Sequence, residues 1–118
     1  MPVSASHRWG TLDTRLIGAV TLIESRLSAP PGDAELAGVC GVSIRQMQRL
    51  FANAFLTTPQ AFALAWRLDQ AQALLIQSDL TIIEIALICG FQSTSHFGRR
   101  YRRRFGVSAS VHRGRQSP

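Results

Sequence analysis

Apolar residues recur along this chain at helical spacing, and proline and glycine cut the recurrence into segments. Leu16, Ile17, Val20, Ile23 and Leu27 form one stripe between Leu12 and Leu27, with Asp13 placed to cap the start and Pro30-Pro31-Gly32 placed to stop it. A second helix is predicted from about Asp33 to Val39 and a third from about Ser43 to Ala54. A fourth, long one opens at Thr58-Pro59, where proline's missing N–H costs no hydrogen bond, and reaches about Gln77. Thr81-Ile82-Ile83-Glu84 has the spacing of a capping box, so a fifth helix starts there. Ser93 caps a sixth that ends near Gly106. No segment alternates with the period of a half-buried strand, and the predicted fold class is all-α.

One pattern occurs twice. Leu36-Ala37-x-x-Cys40-Gly41-Val42 returns 49 residues later as Ile85-Ala86-x-x-Cys89-Gly90-Phe91, each time closing a short helix just before another. The unit is helix, glycine turn, helix. The small Ala lets the second helix approach, the Gly takes a left-handed turn, and the flanking apolar residues fill the angle between the helices. After the first turn the apolar positions are Met47, Leu50 and Phe51. After the second they are Phe97 and Tyr101, one residue later relative to the glycine, which predicts a slightly longer second turn. Cys40 and Cys89 take equivalent places and are expected to be small buried residues in different lobes. No Cys or His stands at ligand spacing beside them, so neither a metal site nor a redox pair is expected.

A helical wheel over the sixth helix gathers Thr94, Phe97, Tyr101 and Phe105 on the side expected to pack. Ser95, Arg99 and Arg103 point most directly away, with His96 and Arg102 beside them. Arg100 and Arg104 flank the apolar stripe, placed to reach phosphate or carboxylates or to lay their stems over the aromatics. The same construction on the third helix buries Met47, Leu50 and Phe51 and turns Arg45 and Arg49 outward, with Gln48 to one side.

Composition sharpens this picture through the placement of charge. Residues 1–92 hold six arginines against all seven acids, whereas residues 93–118 hold seven arginines and no acid, and the chain has no lysine. Every cation is therefore a planar guanidinium able to make forked contacts with phosphate or with guanine. A length of 118 residues with 46% hydrophobic and 17% charged content fits one globular domain or two small lobes. No apolar run is long enough to span a bilayer, and the start lacks the apolar stretch of a signal peptide, so a cytoplasmic location is expected.

From about Leu16 to Arg113 the chain resembles the DNA-binding domain of AraC/XylS transcription regulators. The resemblance is carried by DLTIIEIALICGFQSTSHFGRRYRRRFGVS, residues 79–108, and by CGVSIRQMQRLF, residues 40–51. It implies seven helices in two helix-turn-helix lobes joined by the long fourth helix, with two recognition helices entering successive major grooves of double-stranded DNA. The expected layout is a flexible segment over 1–11, a first lobe over 12–57, a linker helix over 58–78, a second lobe over 79–113 and a flexible basic tail over 114–118. It implies binding at bacterial promoters, on the nucleoid, and activation through RNA polymerase. Carried over residue by residue, the base-reading positions fall on Arg45, Gln48 and Arg49 in the first lobe and on Thr94, Ser95 and Arg99 in the second. Arg and Gln suit bidentate readout of guanine and adenine, whereas Ser and Thr read less strictly, so the first half-site is expected to be the stricter one. Ser43, Thr58, Ser93, His96, Arg100, Arg102 and Arg103 are expected at phosphate.

The chain departs from the family pattern at several places. Leu56 stands where a helix-ending Gly is usual, so the third helix is expected to end differently. Gly98 replaces a common Ser, Ala109 and His112 replace a usual Pro and Tyr, which bears on how the last helix docks, and Gly32 takes a usual Ser cap. Members commonly carry an N-terminal effector and dimerisation domain, and this chain is expected to be either a C-terminal part of such a regulator or a free-standing member. Its lead-in, SHRWGTLDTRLIGAVTLIESRL, resembles the junction in regulators whose front half is similar to a class I glutamine amidotransferase. No cofactor is expected. The alternative function is a polybasic module that binds RNA or an anionic membrane nonspecifically through the Arg-rich helix together with Arg113 and Arg115. Against it, the aromatics of the run form a core stripe. An enzyme is not expected, because His7, His96 and His112 share no motif with a nucleophile or an orienting group.

Overall fold

The computed structural model describes residues 13–116, and these form seven helices and no strand. They are α1 (Thr14–Ser25), α2 (Asp33–Cys40), α3 (Ile44–Phe55), α4 (Pro59–Gln77), α5 (Ile82–Ile88), α6 (Thr94–Phe105) and α7 (Ala109–Gln116). The expected flexible segment over 1–11 lies outside the described residues, as do 117 and 118. α7 continues three residues into the segment expected to be tail. Among the described residues no helix is long and apolar enough to cross a membrane.

Local chemistry accounts for most of the boundaries. The Asp13 carboxylate accepts from the amide of Arg15 and caps α1. In the capping box of α5, the Glu84 amide donates to Thr81 Oγ1 (3.1 Å) while the Thr81 amide donates to Glu84 Oε1 (2.9 Å). Ser43 and Ser93 cap α3 and α6 by accepting from Gln46 and His96. α1 stops at Ser25, two residues before the expected Leu27, where the Ser25 hydroxyl donates back to the Leu22 carbonyl and Arg26 leaves helical geometry. Gly32 precedes α2 without any side-chain cap.

The chain divides into two compact units, residues 1–63 and 64–118, so the boundary falls inside α4. In the first unit Leu16, Ala19, Val20 and Ile23 of α1 are buried with Leu36, Ala37 and Cys40 of α2, Met47 and Phe51 of α3, and Ala63 of α4. α1 and α2 approach closely at Gly18, where an added Cβ would lie 2.9 Å from Val39 Cγ1. In the second unit Leu68, Ala71 and Leu75 of α4 are buried with Ile85 and Ala86 of α5, Cys89 and Phe91 of the turn, Phe97 and Tyr101 of α6, and Ala109 of α7.

The duplication extends well beyond the turn motif. Leu16, Ala19 and Ile23 have buried counterparts 52 positions on in Leu68, Ala71 and Leu75. Gly41 (φ 71°) matches Gly90 (φ 84°), both left-handed. Beyond the turn the offset grows by one because Gln92 is an additional residue, and Met47 and Phe51 then match Phe97 and Tyr101, all four 0% exposed. The ring contacts repeat too: Phe62 meets Phe51 edge-on at 5.7 Å, and His112 meets Tyr101 edge-on at 5.8 Å. Each unit is thus four helical segments, and α4 supplies the last of the first unit and the first of the second.

Two departures from the family pattern resolve differently from expectation. Leu56 does adopt the left-handed conformation (φ 57°, ψ 33°) in which Gly106 ends α6 (φ 79°), and its amide donates to the Ala52 carbonyl, so α3 ends in the usual manner. Its side chain is 90% exposed, so no burial offsets the strain. α7 docks despite Ala109 and His112: Ala109 is buried, Ser108 Oγ accepts from the Val111 amide, and His112 Nδ1 is hydrogen-bonded to the Tyr101 hydroxyl at 2.6 Å. Arg113 holds α7 against the end of α4, donating to the carbonyls of Leu75, Ser78 and Leu80.

Two outcomes follow from these groups. Leu56→Gly relieves a left-handed leucine and raises stability by about 1 kcal/mol, read as a higher urea midpoint with unchanged slope; a lower midpoint contradicts the strain. Burial pushes the Cys89 thiol from 9.0 up to about 11 and the Tyr101 phenol from 10.0 up to about 12. The unfolded chain releases both protons first, so this stability is complete below about pH 9 and is lost as pH rises through 9–11 for the thiol and 10–12 for the phenol. Urea midpoints measured against pH should fall over that range, and Tyr101→Phe should remove the later part of the fall.

Candidate nucleic-acid interface

α3 is the second helix of the first lobe. Its Met47 and Phe51 are buried, with Leu50, expected to be buried as well, and Phe55 half-buried beside them, so helical geometry turns the opposite face to solvent. Arg45 and Arg49 are exposed, and among the described residues neither has a hydrogen bond or an ion pair. Gln48 is exposed as well, but its Nε2 donates to Asp33 Oδ2 of α2 at 2.8 Å. The hydroxyls of Ser43 and Thr58 each accept from a backbone amide at a helix start, which leaves the hydroxyl proton of each available to an outside acceptor.

α6 repeats the arrangement with more charge. Arg99, Arg100, Arg102 and Arg103 are exposed and without a carboxylate partner among the described residues. Arg99, Arg100 and Arg103 line one open groove together with His96. His96 is half-buried with its ring 5.6 Å from that of Phe91, so it leans further inward than the wheel suggested. Ser93 and Ser95 are exposed. Thr94, which the wheel placed toward the packed side, is exposed too, because the first residue of a helix precedes the turn where packing against α5 begins. Arg102, Arg103 and Arg104 lie in the last turn of α6, where positive charge also favours the helix itself by about 0.3–1 kcal/mol.

Not every arginine of the run is available. Arg104 makes a forked contact with Asp69 of α4, Nε to Oδ1 at 2.9 Å and Nη2 to Oδ2 at 3.1 Å, and lies over the Phe105 ring. Arg113 serves the carbonyls at the end of α4. Of the aromatics of the run, Phe97 and Tyr101 are fully buried and Phe105 is half-buried at the edge of the stripe.

Three contributing residues escaped the sequence reading. Asp33 holds Gln48, and it also accepts from Gln60 Nε2 through Oδ1 at 2.9 Å. Arg67 of α4 donates to the turn carbonyls of Cys89 (2.8 Å) and Gly90 (3.1 Å) while its guanidinium covers the Phe91 ring at 4.4 Å, fixing the turn that aims α6. Asp69 takes Arg104 out of the free set. For Arg67 a signal existed, since it is the single cation of α4; Asp33 and Asp69 carried none. Cys40 and Cys89 are free, buried and in separate units, and among the described residues no cluster of His, Cys, Asp and Glu could hold a metal.

Comparison with known proteins agrees with this geometry. A helix-turn-helix domain family matches residues 36–115. The HTH-type transcriptional regulator CdhR of Pseudomonas aeruginosa is 40% identical over 111 residues, covering 94% of this chain and 33% of its own length. The chain therefore spans about a third of that relative. A solved transcriptional regulator of Chromobacterium violaceum, described as AraC-type and DNA-binding, superposes with a TM-score of 0.84 at 36% identity, over 88% of this chain and 93% of its own. The DNA-binding domain of AdpA, solved in complex with a target DNA, gives a TM-score of 0.79 at 28% identity, over 87% and 92%. With its duplicated lobes and its outward guanidiniums, the chain belongs to the AraC/XylS family of helix-turn-helix transcription regulators.

Proposed function

We propose that this chain binds double-stranded DNA sequence-specifically and regulates transcription at bacterial promoters, with α3 and α6 as recognition helices in successive major grooves. The observation that carries this is the set of exposed arginines, without side-chain partners among the described residues, on the second helix of each lobe, above a buried aromatic or apolar stripe. A guanidinium left free at the protein surface can fork onto guanine O6 and N7 or onto phosphate oxygens, and a rigid core beneath it lowers the entropy cost of aiming it. Arg45, Gln48, Arg49, Thr94, Ser95 and Arg99 are the proposed base readers. Ser43, Thr58, Ser93, His96, Arg100, Arg102 and Arg103 are the proposed phosphate contacts, and the His96–Arg99–Arg100–Arg103 groove is a suitable seat for the backbone. Activation through RNA polymerase, a nucleoid location in the cytoplasm and an N-terminal effector domain belong to the same proposal. The nonspecific RNA or membrane module finds less support, because Arg104 and Arg113 are engaged within the fold and Phe97 and Tyr101 are inside.

Selection of bound sites from a random DNA pool tests the proposal, which expects two enriched blocks about one helical turn apart; an unenriched pool would sink it. Arg49→Ala should relax preference at one or two base pairs, at a cost of about 1–3 kcal/mol for the preferred base. Arg103→Ala should weaken all sequences alike and reduce the salt dependence by about one phosphate contact. Arg104→Ala should leave that salt slope unchanged and lower stability slightly, by about 0.5 kcal/mol for a half-exposed ion pair. Equal salt slopes for the Arg103 and Arg104 variants would contradict the division between free and engaged arginines.

A further inference from the structure

The Gln48 amide is not free to choose which end it shows. Its Nε2 donates to Asp33 Oδ2 at 2.8 Å, and a carboxylate can only accept, so the amide cannot flip without placing its carbonyl oxygen against a negative oxygen. The carboxylate is itself held in place. Its other oxygen, Oδ1, accepts from Gln60 Nε2 at 2.9 Å, and the same nitrogen reaches the Pro31 carbonyl at 3.3 Å. Gln60 comes from the first turn of α4, Asp33 from the first turn of α2 and Gln48 from α3, so three helices of one unit fix one exposed amide.

The second lobe lacks this device. The position equivalent to Asp33 is Ile82 and that equivalent to Gln48 is Gly98. The Asp33–Gln48–Gln60 chain is therefore not part of the shared helix-turn-helix framework, which folds without it.

We propose that Asp33 is a positioning residue for base selection: it engages one N–H of the Gln48 amide and so fixes the orientation in which the carbonyl oxygen and the other N–H face DNA. An acceptor beside one remaining N–H fits the N6 amine and N7 of adenine together, whereas guanine sets two acceptors, N7 and O6, before that pair, so this position selects adenine. The inference rests on Gln48 reading a base.

Selection from a random DNA pool by the full chain and its Gln48→Ala, Asp33→Asn and Asp33→Ala variants tests it. Gln48→Ala should relax one base pair. Both Asp33 variants should relax that same base pair, by on the order of tenfold, while the other positions keep their preference. The Asp33→Ala/Gln48→Ala double variant should relax it no further than Gln48→Ala alone. Removing the carboxylate also removes a negative charge beside DNA, so affinity for random sequence should hold or rise, whereas a merely structural defect would lower it. Asp33→Asn preserves the shape of the side chain and the helix start, and its urea midpoint identifies any loss of folding. If Gln48→Ala relaxes a base pair that both Asp33 variants leave strict, the role of Asp33 is overturned and Gln48 remains a reader. If Gln48→Ala shifts nothing, the reading of Gln48 fails, and the role of Asp33 with it.

Discussion

Each lobe depends on one left-handed residue between two short helices. Gly41 and Gly90 reverse the chain at φ 71° and φ 84°, which lets the amides of Val42 and Phe91 reach back to the carbonyls of Ala37 and Ala86. A side chain at either glycine would be strained by roughly 1 kcal/mol or more, as Leu56 is at the end of α3. With the turn set, the small alanines on the first helix admit the second, and the second helix must bury Met47 and Phe51, or Phe97 and Tyr101. That burial decides, through helical periodicity, which side chains stay outside. The arginines of α3 and α6 are exposed because of what the opposite face packs against.

The features readable from sequence are those whose causes lie within a few residues. Thr81 and Glu84, Ser93 and the two turn glycines all act across three or four positions, and each occurs where its chemistry predicted. The burial of Met47, Phe51, Phe97 and Tyr101 was readable for the same reason, since it follows from a period. The wheel fails at Thr94 because it assumes a neighbour along the whole helix, and the first residue of α6 lies ahead of the positions that pack. Leu56 was misjudged because its backbone preference opposes the left-handed turn, while the ring cluster of Phe51, Phe55 and Phe62 on either side of it holds the turn in that form.

The partners of the site were hidden for a different reason. Asp33 and Gln48 are 15 residues apart, Arg67 and the Cys89 carbonyl 22, and Asp69 and Arg104 35. No local pattern links such pairs, and the same arginine run would read identically with Arg104 free. Only the packing of α4 beside α6 tells a guanidinium that holds the fold from one that is available outside it.

Sharing α4 between the two units bears on how the chain acquires its structure. Starting a helix is unfavourable because several residues must be ordered before the first hydrogen bond rewards them, whereas extending one is nearly free. The Thr58 cap, Pro59 and the packing of Phe62 begin α4 within the first unit, and residues 64–77 then extend an existing helix. A helix begun at Thr58 in the first unit therefore offers residues 64–77 extension in place of a fresh start.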